Sequence, residues 1–262
     1  PRFRHRLSHW DYTFLLLFPI VGVMLSQWFH LPYLLSILLM YGAPGLYLAL
    51  RYEKSWEITK GLIFTLVVAT PCAIIVDMIG TRSGIWYVPK SLFPRIFGVI
   101  PVEDIIWLYA AVFTVLILYA VLYGSGKHEL VDRRMWLFAL PALLALSTFF
   151  FVLASADRNT LSFRSPYAYT LLGTVFFLIP TSSLLYRFPK MLMKSLPVMG
   201  YFLYITILFE FSATTLQQWV FTGEYLLPPL IAFGNAIPWE EFFFVGIVGP
   251  LATILGYEFF DN

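Results

Sequence analysis

Long apolar runs constrain the fold of this chain more than any other feature of its sequence. Each run is about 20 residues long, which is the length that an α-helix needs to cross a bilayer. Because a backbone in lipid must satisfy its own hydrogen bonds, such runs predict helices. We therefore predict an all-α, polytopic membrane bundle of about eight transmembrane helices, near Tyr12–Phe29, Tyr33–Tyr52, Gly61–Ile79, Ile105–Tyr123, Met135–Ser155, Tyr167–Tyr186, Leu196–Thr215 and Phe242–Phe260.

The composition agrees with a membrane location. Of the 262 residues, 60% are hydrophobic and 12% are charged, whereas a soluble domain carries about 25% charged residues. The first run is long and lacks a small-residue cleavage site, so we expect a span rather than a cleaved signal peptide. The net charge of +2 is too small to indicate nucleic-acid binding. The single cysteine, Cys72, excludes an internal disulfide and a thiol-rich metal site.

Basic residues are distributed unevenly between the two predicted sides of the membrane. Twelve lie on the side of the amino terminus and five on the other, where they are Arg82, Lys90, Arg95, Arg158 and Arg164. Because cytoplasmic loops carry the excess of Lys and Arg, both termini are predicted to be cytoplasmic.

One short phrase, a proline followed two residues later by a pair of acids, begins two of the apolar runs. Its copies are Pro101-Val102-Glu103-Asp104 and, 137 residues later, Pro238-Trp239-Glu240-Glu241. An acid, a tryptophan and a Phe-Gly pair precede each copy, namely Asp77, Trp86 and Phe97-Gly98 in the first half and Glu210, Gln218-Trp219 and Phe233-Gly234 in the second. Four predicted spans lie between the copies, which places both on one membrane face. We therefore predict two parallel repeats, residues 1–128 and 129–262, with a seam near Gly124–Asp132.

Acids inside a membrane are costly and usually mark functional sites. A structural role is also available here, since proline fits the first turn of a helix and acids in that turn interact favourably with the helix dipole. The repetition of the phrase, the nearby Asp77 and Glu210, and the scarcity of basic partners favour function. Carboxylic acids crowded into a low dielectric share protons, and such an acid can protonate a weak base.

We therefore predict one site that is built from both halves. The catalytic candidates are Glu103, Asp104, Glu240 and Glu241, and the supporting or substrate-binding candidates are Asp77, Trp86, Glu210, Gln218, Trp219 and Trp239. Arg82 and Arg95 are expected to pair with Glu103 or Asp104, which leaves the second phrase as the better proton donor. The histidines have no metal-ligand spacing, and no nucleotide-binding motif is present. Neither a metal nor a cofactor is expected.

These residues resemble the carotenoid lycopene cyclase domain family, the flavin-independent integral membrane cyclases of bacteria, archaea and fungi. The chain is similar to the fused two-domain form along nearly its full length, most clearly in the second half, through Gly223-Glu224-Tyr225, Pro238 to Phe244 and Tyr257 to Asp261. The first half departs from the pattern, with Asp104 in place of the second glutamate and Ile105-Ile106-Trp107 in place of an aromatic run. The resemblance implies that Glu103 and Glu240 are the essential acids.

The resemblance also implies a reaction and a location. One acid protonates the terminal isoprene double bond of an acyclic carotenoid such as lycopene, the cation closes a six-membered ring, and a base removes a proton without any cofactor. The implied partner is a polyene dissolved in the lipid bilayer of a bacterial or archaeal cell, and a homo-oligomer is compatible with the sequence. Aromatic residues, 19% of the chain, suit a pocket for a cation.

Other functions stay open at this point. A carotenoid hydratase begins with the same protonation and lets water capture the cation, and related enzymes cyclise other long isoprenoids (terpenes). A small proton-coupled transporter would also combine parallel repeats with intramembrane acids, but its helices should be broken near the bilayer midplane. In a subunit or scaffold, the acids would only cap helices, and one half would contact lipid alone.

Overall fold

The computed structural model describes residues 7–52, 55–123, 147 and 165–260. In this part of the chain seven helices are long and apolar enough to cross a membrane: α1 His9–Phe29, α2 Tyr33–Arg51, α3 Ile58–Arg82, α4 Val102–Tyr123, α5 Ala168–Arg187, α6 Lys190–Thr215 and α7 Trp239–Glu258. They coincide with seven of the eight predicted spans, which confirms an all-α membrane bundle.

Some sequence-based predictions fall beyond this part of the chain. The predicted span Met135–Ser155 lies outside the described residues except for Ser147, and the predicted seam Gly124–Asp132 lies outside them entirely. Several of the basic residues counted for the orientation also lie outside, among them Arg2, Arg4, Arg6, Lys54, Lys127, Arg133, Arg134, Arg158 and Arg164. The orientation in the membrane therefore stays a prediction.

The first helix has well-defined ends that the sequence explains. Ser8 caps α1: its hydroxyl accepts a hydrogen bond from the Asp11 backbone N–H, and the Asp11 carboxylate accepts one from the Ser8 N–H at 2.7 Å. This reciprocal capping box satisfies two donors that a helix start leaves free. His30 caps the end of the helix with a left-handed backbone, φ 48°, and Pro32 is the residue that caps the start of α2.

Four of the seven described membrane helices contain one widened π-helical turn, each just before a proline. These turns are Leu38–Gly42, Thr65–Ala69, Thr174–Leu178 and Phe244–Val248, and they precede Pro44, Pro71, Pro180 and Pro250. Proline lacks an N–H, and its ring clashes with the carbonyl four residues earlier, which in each case belongs to the central residue of the π turn. The wider turn relieves this conflict, and the backbone continues in helical geometry on both sides.

The fourth helix lies at the centre of the bundle. It packs against α2, α3, α6 and α7, and most of its residues from Ala110 to Val121 are buried. A helix that is apolar all round is expected in such a position. Thr114 on α4 donates a hydrogen bond to the Tyr41 carbonyl in the π turn of α2, which ties the two helices together.

Two short β-pairings lie at one face of the bundle, where α1, α3 and α6 end and α2, α4, α5 and α7 begin. Strand β1 (Trp86–Tyr87) pairs with β2 (Val220–Phe221), and β3 (Leu230–Ala232) pairs with β4 (Asn235–Ile237), both antiparallel. We call this the acid face because both acid phrases lie on it, at the starts of α4 and α7.

Candidate functional site

The two acids of the first phrase lie in the first turn of α4 and are both buried. Glu103 binds the loop before the helix: its Oε1 accepts the Leu92 backbone N–H at 2.5 Å and its Oε2 accepts the Ser91 hydroxyl at 2.7 Å. Asp104 faces the bundle instead, where the Tyr33 hydroxyl at the start of α2 donates to it at 3.0 Å.

The acids of the second phrase lie in the first turn of α7 and are buried as well. Glu240 Oε1 accepts two hydrogen bonds, from the Leu226 backbone N–H at 2.7 Å and from the Thr170 hydroxyl at 3.0 Å. Glu241 accepts a hydrogen bond from the hydroxyl of Tyr169, near the start of α5. In each phrase, therefore, the first acid binds a loop and the second acid binds a tyrosine.

The backbone around the two phrases also follows one pattern. Both Phe-Gly pairs have left-handed backbones at each residue: φ is 52° and 73° at Phe97-Gly98, and 51° and 79° at Phe233-Gly234. A phenylalanine rarely adopts this conformation. In the second half the pair forms the two-residue turn between β3 and β4, where a tight hairpin turn requires positive φ at both positions.

The ends of α3 and α6 match in the same way. The second residue after each helix end is left-handed, Gly84 with φ 68° and Gln217 with φ 53°. One residue later a backbone N–H turns back to the helix, from Ile85 to the Gly80 carbonyl and from Gln218 to the Ala213 carbonyl, each at 2.9 Å. These are the bonds of a Schellman cap.

Backbone hydrogen bonds join the loop of one half to the loop of the other. Beyond the β1–β2 pairing, the Ile85 carbonyl accepts the Thr222 N–H at 3.0 Å and the Gly223 N–H at 3.2 Å. The Tyr225 hydroxyl also donates to the Ile85 carbonyl. Burial raises the pKa of this phenol. The two acid phrases therefore lie on the same face and share one loop structure.

Tryptophan and tyrosine rings lie between the two pairs of acids. Trp86 and Trp219 stack with their ring centroids 5.9 Å apart and their planes 17° from parallel. Tyr169 contacts the Trp86 ring edge-on at 5.3 Å, and Tyr33 approaches the Trp219 ring at 6.4 Å. The tyrosines that bind Asp104 and Glu241 are thus connected through the stacked tryptophans.

The third acid of each half lies close to these pairs. Asp77 on α3 interacts electrostatically with both Asp104 and Glu241, and Glu241 interacts electrostatically with Glu210 on α6. The Trp86 indole N–H lies near Asp77 but makes no hydrogen bond of normal geometry. The acids of both halves therefore belong to one buried cluster. Within the described ranges, no three His, Cys, Asp or Glu side chains are arranged to hold a metal ion.

Several buried polar atoms of the site have no hydrogen-bond partner among the described residues. They are Oε2 of Glu210 and Glu240, Oε1 of Gln218, and Nε1 of Trp86 and Trp219. A buried polar atom without a partner costs free energy, and such atoms in native proteins call for an explanation. A ligand or water molecules would supply the missing partners.

The structure does not form the predicted ion pairs of Arg82 and Arg95. Within the described part of the chain, neither guanidinium contacts Glu103 or Asp104 closely enough for a salt bridge. Arg82 Nε donates to the Met78 sulfur, and Arg95 donates to the carbonyls of Val88 at 2.5 Å and Val99 at 3.1 Å. The prediction of salt bridges was wrong, because the loop carbonyls lie nearer to Arg95 than the acids do. The Arg95 charge still interacts with Asp104 over a longer distance.

Two predicted supporting residues have other surroundings than the acids. The Gln218 amide donates to the Leu31 carbonyl at 2.6 Å and to the Ser36 hydroxyl at 3.0 Å, so it joins the end of α6 to the turn between α1 and α2. Trp239 is 46% exposed and packs on Phe242, on the outside of the bundle.

Sequence reasoning missed the donors that hold the acids, namely Tyr33, Ser91, Tyr169 and Thr170. A signal for the tyrosines was present, since Tyr33 and Tyr169 are 136 residues apart and the two acid phrases 137. Extending the repeat comparison to the starts of the second and sixth predicted spans would have found this pair.

No protein-family model, no curated protein and no solved structure matches this chain.

Proposed function

We propose that this protein is a membrane isoprenoid cyclase, and specifically a lycopene cyclase. The observation that carries the proposal is the buried cluster of acids from both halves, which the stacked tryptophans and two tyrosines separate into pairs. Such a site offers proton donors and acceptors beside aromatic rings that suit an apolar polyene. The reaction itself requires no redox group. The resemblance to the lycopene cyclase domain family points to the same chemistry.

The reaction begins with transfer of a proton from a carboxylic acid to the terminal isoprene double bond of the substrate. The bond between the acid oxygen and the proton breaks, a C–H bond forms, and a tertiary carbocation results. The neighbouring double bond attacks this cation and closes a six-membered ring. A carboxylate then removes a proton from the ring, which restores a double bond and leaves the enzyme with its original number of protons.

Aromatic rings suit the cationic intermediate. The faces of tryptophan and tyrosine attract a cation through the ring quadrupole, by about 0.5–2 kcal/mol for each contact. They do so without the strong nucleophilicity of a thiolate or an amine. Trp86, Trp219, Tyr33 and Tyr169 are the rings that lie beside the acids.

The proposal includes the duplication. The matching helix caps, Phe-Gly backbones, loop-bound acids and tyrosine-bound acids support two parallel repeats. Each repeat then contributes one acid phrase to a shared site. The proposed division, residues 1–128 and 129–262, falls within the predicted seam near Gly124–Asp132.

A carotenoid hydratase is the second candidate. Glu240 Oε2 is buried and has no partner among the described residues, and buried water binds to polar atoms of this kind. Water held beside the cation would add to it and give a tertiary alcohol. The transporter alternative is less well supported, because the four π turns do not break their helices.

Expression in cells that accumulate lycopene, followed by chromatography and mass spectrometry of the pigments, tests the proposal. A cyclase gives a product of unchanged mass with ring end groups, and a hydratase gives a product that is heavier by one water. The Glu103→Gln/Glu240→Gln double variant should leave lycopene unconverted.

Glu258→Gln is the matched control. Glu258 lies near the end of α7, 18 residues after Glu240 and so about 27 Å along the helix axis. It accepts a hydrogen bond from Tyr119 at 2.7 Å, which a glutamine oxygen can also accept. This control should convert lycopene at the wild-type rate. Unchanged lycopene with the wild-type protein, or full conversion by the double variant, would refute the proposed chemistry.

A further inference from the structure

The two acid phrases differ in how the oxygens of their first glutamates are used. Both oxygens of Glu103 have hydrogen bonds, one to the Leu92 N–H and one to the Ser91 hydroxyl. Both donors to Glu240, the Leu226 N–H and the Thr170 hydroxyl, bind the same oxygen, Oε1. Glu240 as a residue is 6% exposed. Its Oε2 atom is buried and has no hydrogen-bond partner among the described residues.

A second buried acid oxygen without a hydrogen-bond partner among the described residues also lies in the second half. Glu210 on α6 is 3% exposed, and its Oε2 has no partner either. Among the described residues, neither acid of the first phrase, Glu103 or Asp104, has a fully buried oxygen without a hydrogen bond. Leaving a buried polar atom unpaired costs free energy, and such an atom in a native protein calls for an explanation, of which a catalytic role is one.

The loop that Glu103 binds depends on this residue. Ser91 and Leu92 belong to the segment between β1 and α4, which Arg95 also holds through the carbonyls of Val88 and Val99. The segment contains no helix or named strand, and its one antiparallel bridge, Ile96 with Ile100, lies after Ser91 and Leu92 in the chain. A carboxylate at the start of α4 therefore serves this loop as an anchor, with its hydrogen-bonding capacity directed to the loop.

We propose that the two phrases have different roles: Glu240 donates the proton to the substrate, whereas Glu103 is a structural anchor of the loop before α4. The substrate here is the polyene of the proposed function, so this proposal rests on that function. It departs from the equivalence of Glu103 and Glu240 that the family resemblance implies. The chain then has one proton-donating centre, in its second half, despite two copies of the phrase.

Isosteric substitution separates the two roles. In Glu103→Gln, the amide oxygen still accepts the Leu92 N–H and the amide nitrogen can donate to Ser91, whose hydroxyl already lies 2.8 Å from the Phe93 carbonyl. The anchor is therefore preserved. In Glu240→Gln, the amide oxygen still accepts the Leu226 N–H and the Thr170 hydroxyl, and only the group that carries the proton is lost.

The first experiment compares lycopene conversion by the two single variants at equal expression and equal melting temperature. We expect Glu103→Gln to retain conversion within about threefold of wild type and Glu240→Gln to fall by at least a hundredfold, the range that loss of a general acid produces. Equal losses in both variants would overturn the unequal roles and leave acid catalysis intact. Full conversion by Glu240→Gln would overturn the role of Glu240.

The second experiment does not depend on activity. Dicyclohexylcarbodiimide, a hydrophobic reagent that modifies carboxylic acids within membranes, is added to the full-length protein in lipid, and peptide mass spectrometry locates the adducts. Glu240, with an unpartnered oxygen, should be labelled faster than Glu103. Equal labelling, or faster labelling of Glu103, would overturn the proposal. If the wild-type protein does not convert lycopene, the proposed function fails, and this labelling still decides between the two roles.

Discussion

Asp11 tests whether the hydrogen-bond partners of a buried acid, rather than its burial, show if that acid is catalytic. Like Glu103, it is 0% exposed, but it lies at the start of α1, on the face opposite the acid face. Its carboxylate accepts hydrogen bonds from the Ser8 N–H and hydroxyl, each at 2.7 Å, from Tyr47 at 2.7 Å and from Tyr52. Arg51 lies 3.6 Å away. We predict that Asp11 is purely structural.

The size of its contribution follows from these contacts. A hydrogen bond to a charged group contributes about 1.5–3 kcal/mol, and loss of a helix cap costs about 0.5–2 kcal/mol. The donors on Ser8, Tyr47 and Tyr52 are partly exposed, so water replaces part of what Asp11→Ala removes. We expect a net loss of roughly 3 kcal/mol, which lowers Tm by roughly 6–12 °C for a chain of this size.

Thermal unfolding in detergent, followed by tryptophan fluorescence, measures this change. Asp11→Asn retains one acceptor oxygen and should fall between wild type and Asp11→Ala, while Glu258→Gln should match wild type. Lycopene conversion by the folded Asp11→Ala protein should stay at the wild-type level. An unchanged Tm, or a loss of conversion without a loss of stability, would show that the assignment of Asp11 to structure is mistaken.

Three further predictions concern single residues. Tyr169→Phe removes the hydroxyl that donates to Glu241 and should slow conversion roughly ten- to hundredfold, as loss of about 1.5–3 kcal/mol implies. Gly80→Ala places a methyl group against the Trp86 indole and should cost about 1–3 kcal/mol of stability, measured by Tm. Burial and the hydrogen bond to Asp11 raise the pKa of Tyr52 from 10.0 to about 12. The neutral phenol therefore stabilises the folded protein fully below pH 10, and this stabilisation is lost as the pH rises towards 12. Tyr52→Phe should flatten the fall of Tm over that range.

Each of these predictions has a control. Tyr186→Phe changes a 92% exposed tyrosine and should leave conversion unchanged, so a similar loss there would contradict the role of Tyr169. At Gly200 a new Cβ would meet nothing within 4 Å, and Gly200→Ala should not lower Tm. A wild-type Tm in Gly80→Ala would mean that Trp86 is free to move. A steeper alkaline fall in Tyr52→Phe than in wild type would reverse the sign expected for that phenol.

Much of the bundle follows from local sequence. A run of about 20 apolar residues must become a helix in lipid because only a helix satisfies its own backbone there, and seven described helices lie where such runs predict them. Four prolines in the described helices follow a π turn, because proline lacks an N–H and its ring clashes with the carbonyl four residues earlier. The repeated phrase predicted that both acid pairs begin helices, because proline and acids at a helix start are a local preference.

Only the tertiary structure decided which groups meet. The partners of the acids are Tyr33, Tyr169 and Thr170, which lie about 70 residues away in the sequence, and no local preference specifies such contacts. The same holds for Arg95, whose charge suggested an ion pair but whose guanidinium binds loop carbonyls. The difference between Glu103 and Glu240 is of this kind too: two identical residues in matching phrases differ in a single unpartnered oxygen, because hydrogen bonding depends on where neighbouring segments place their donors.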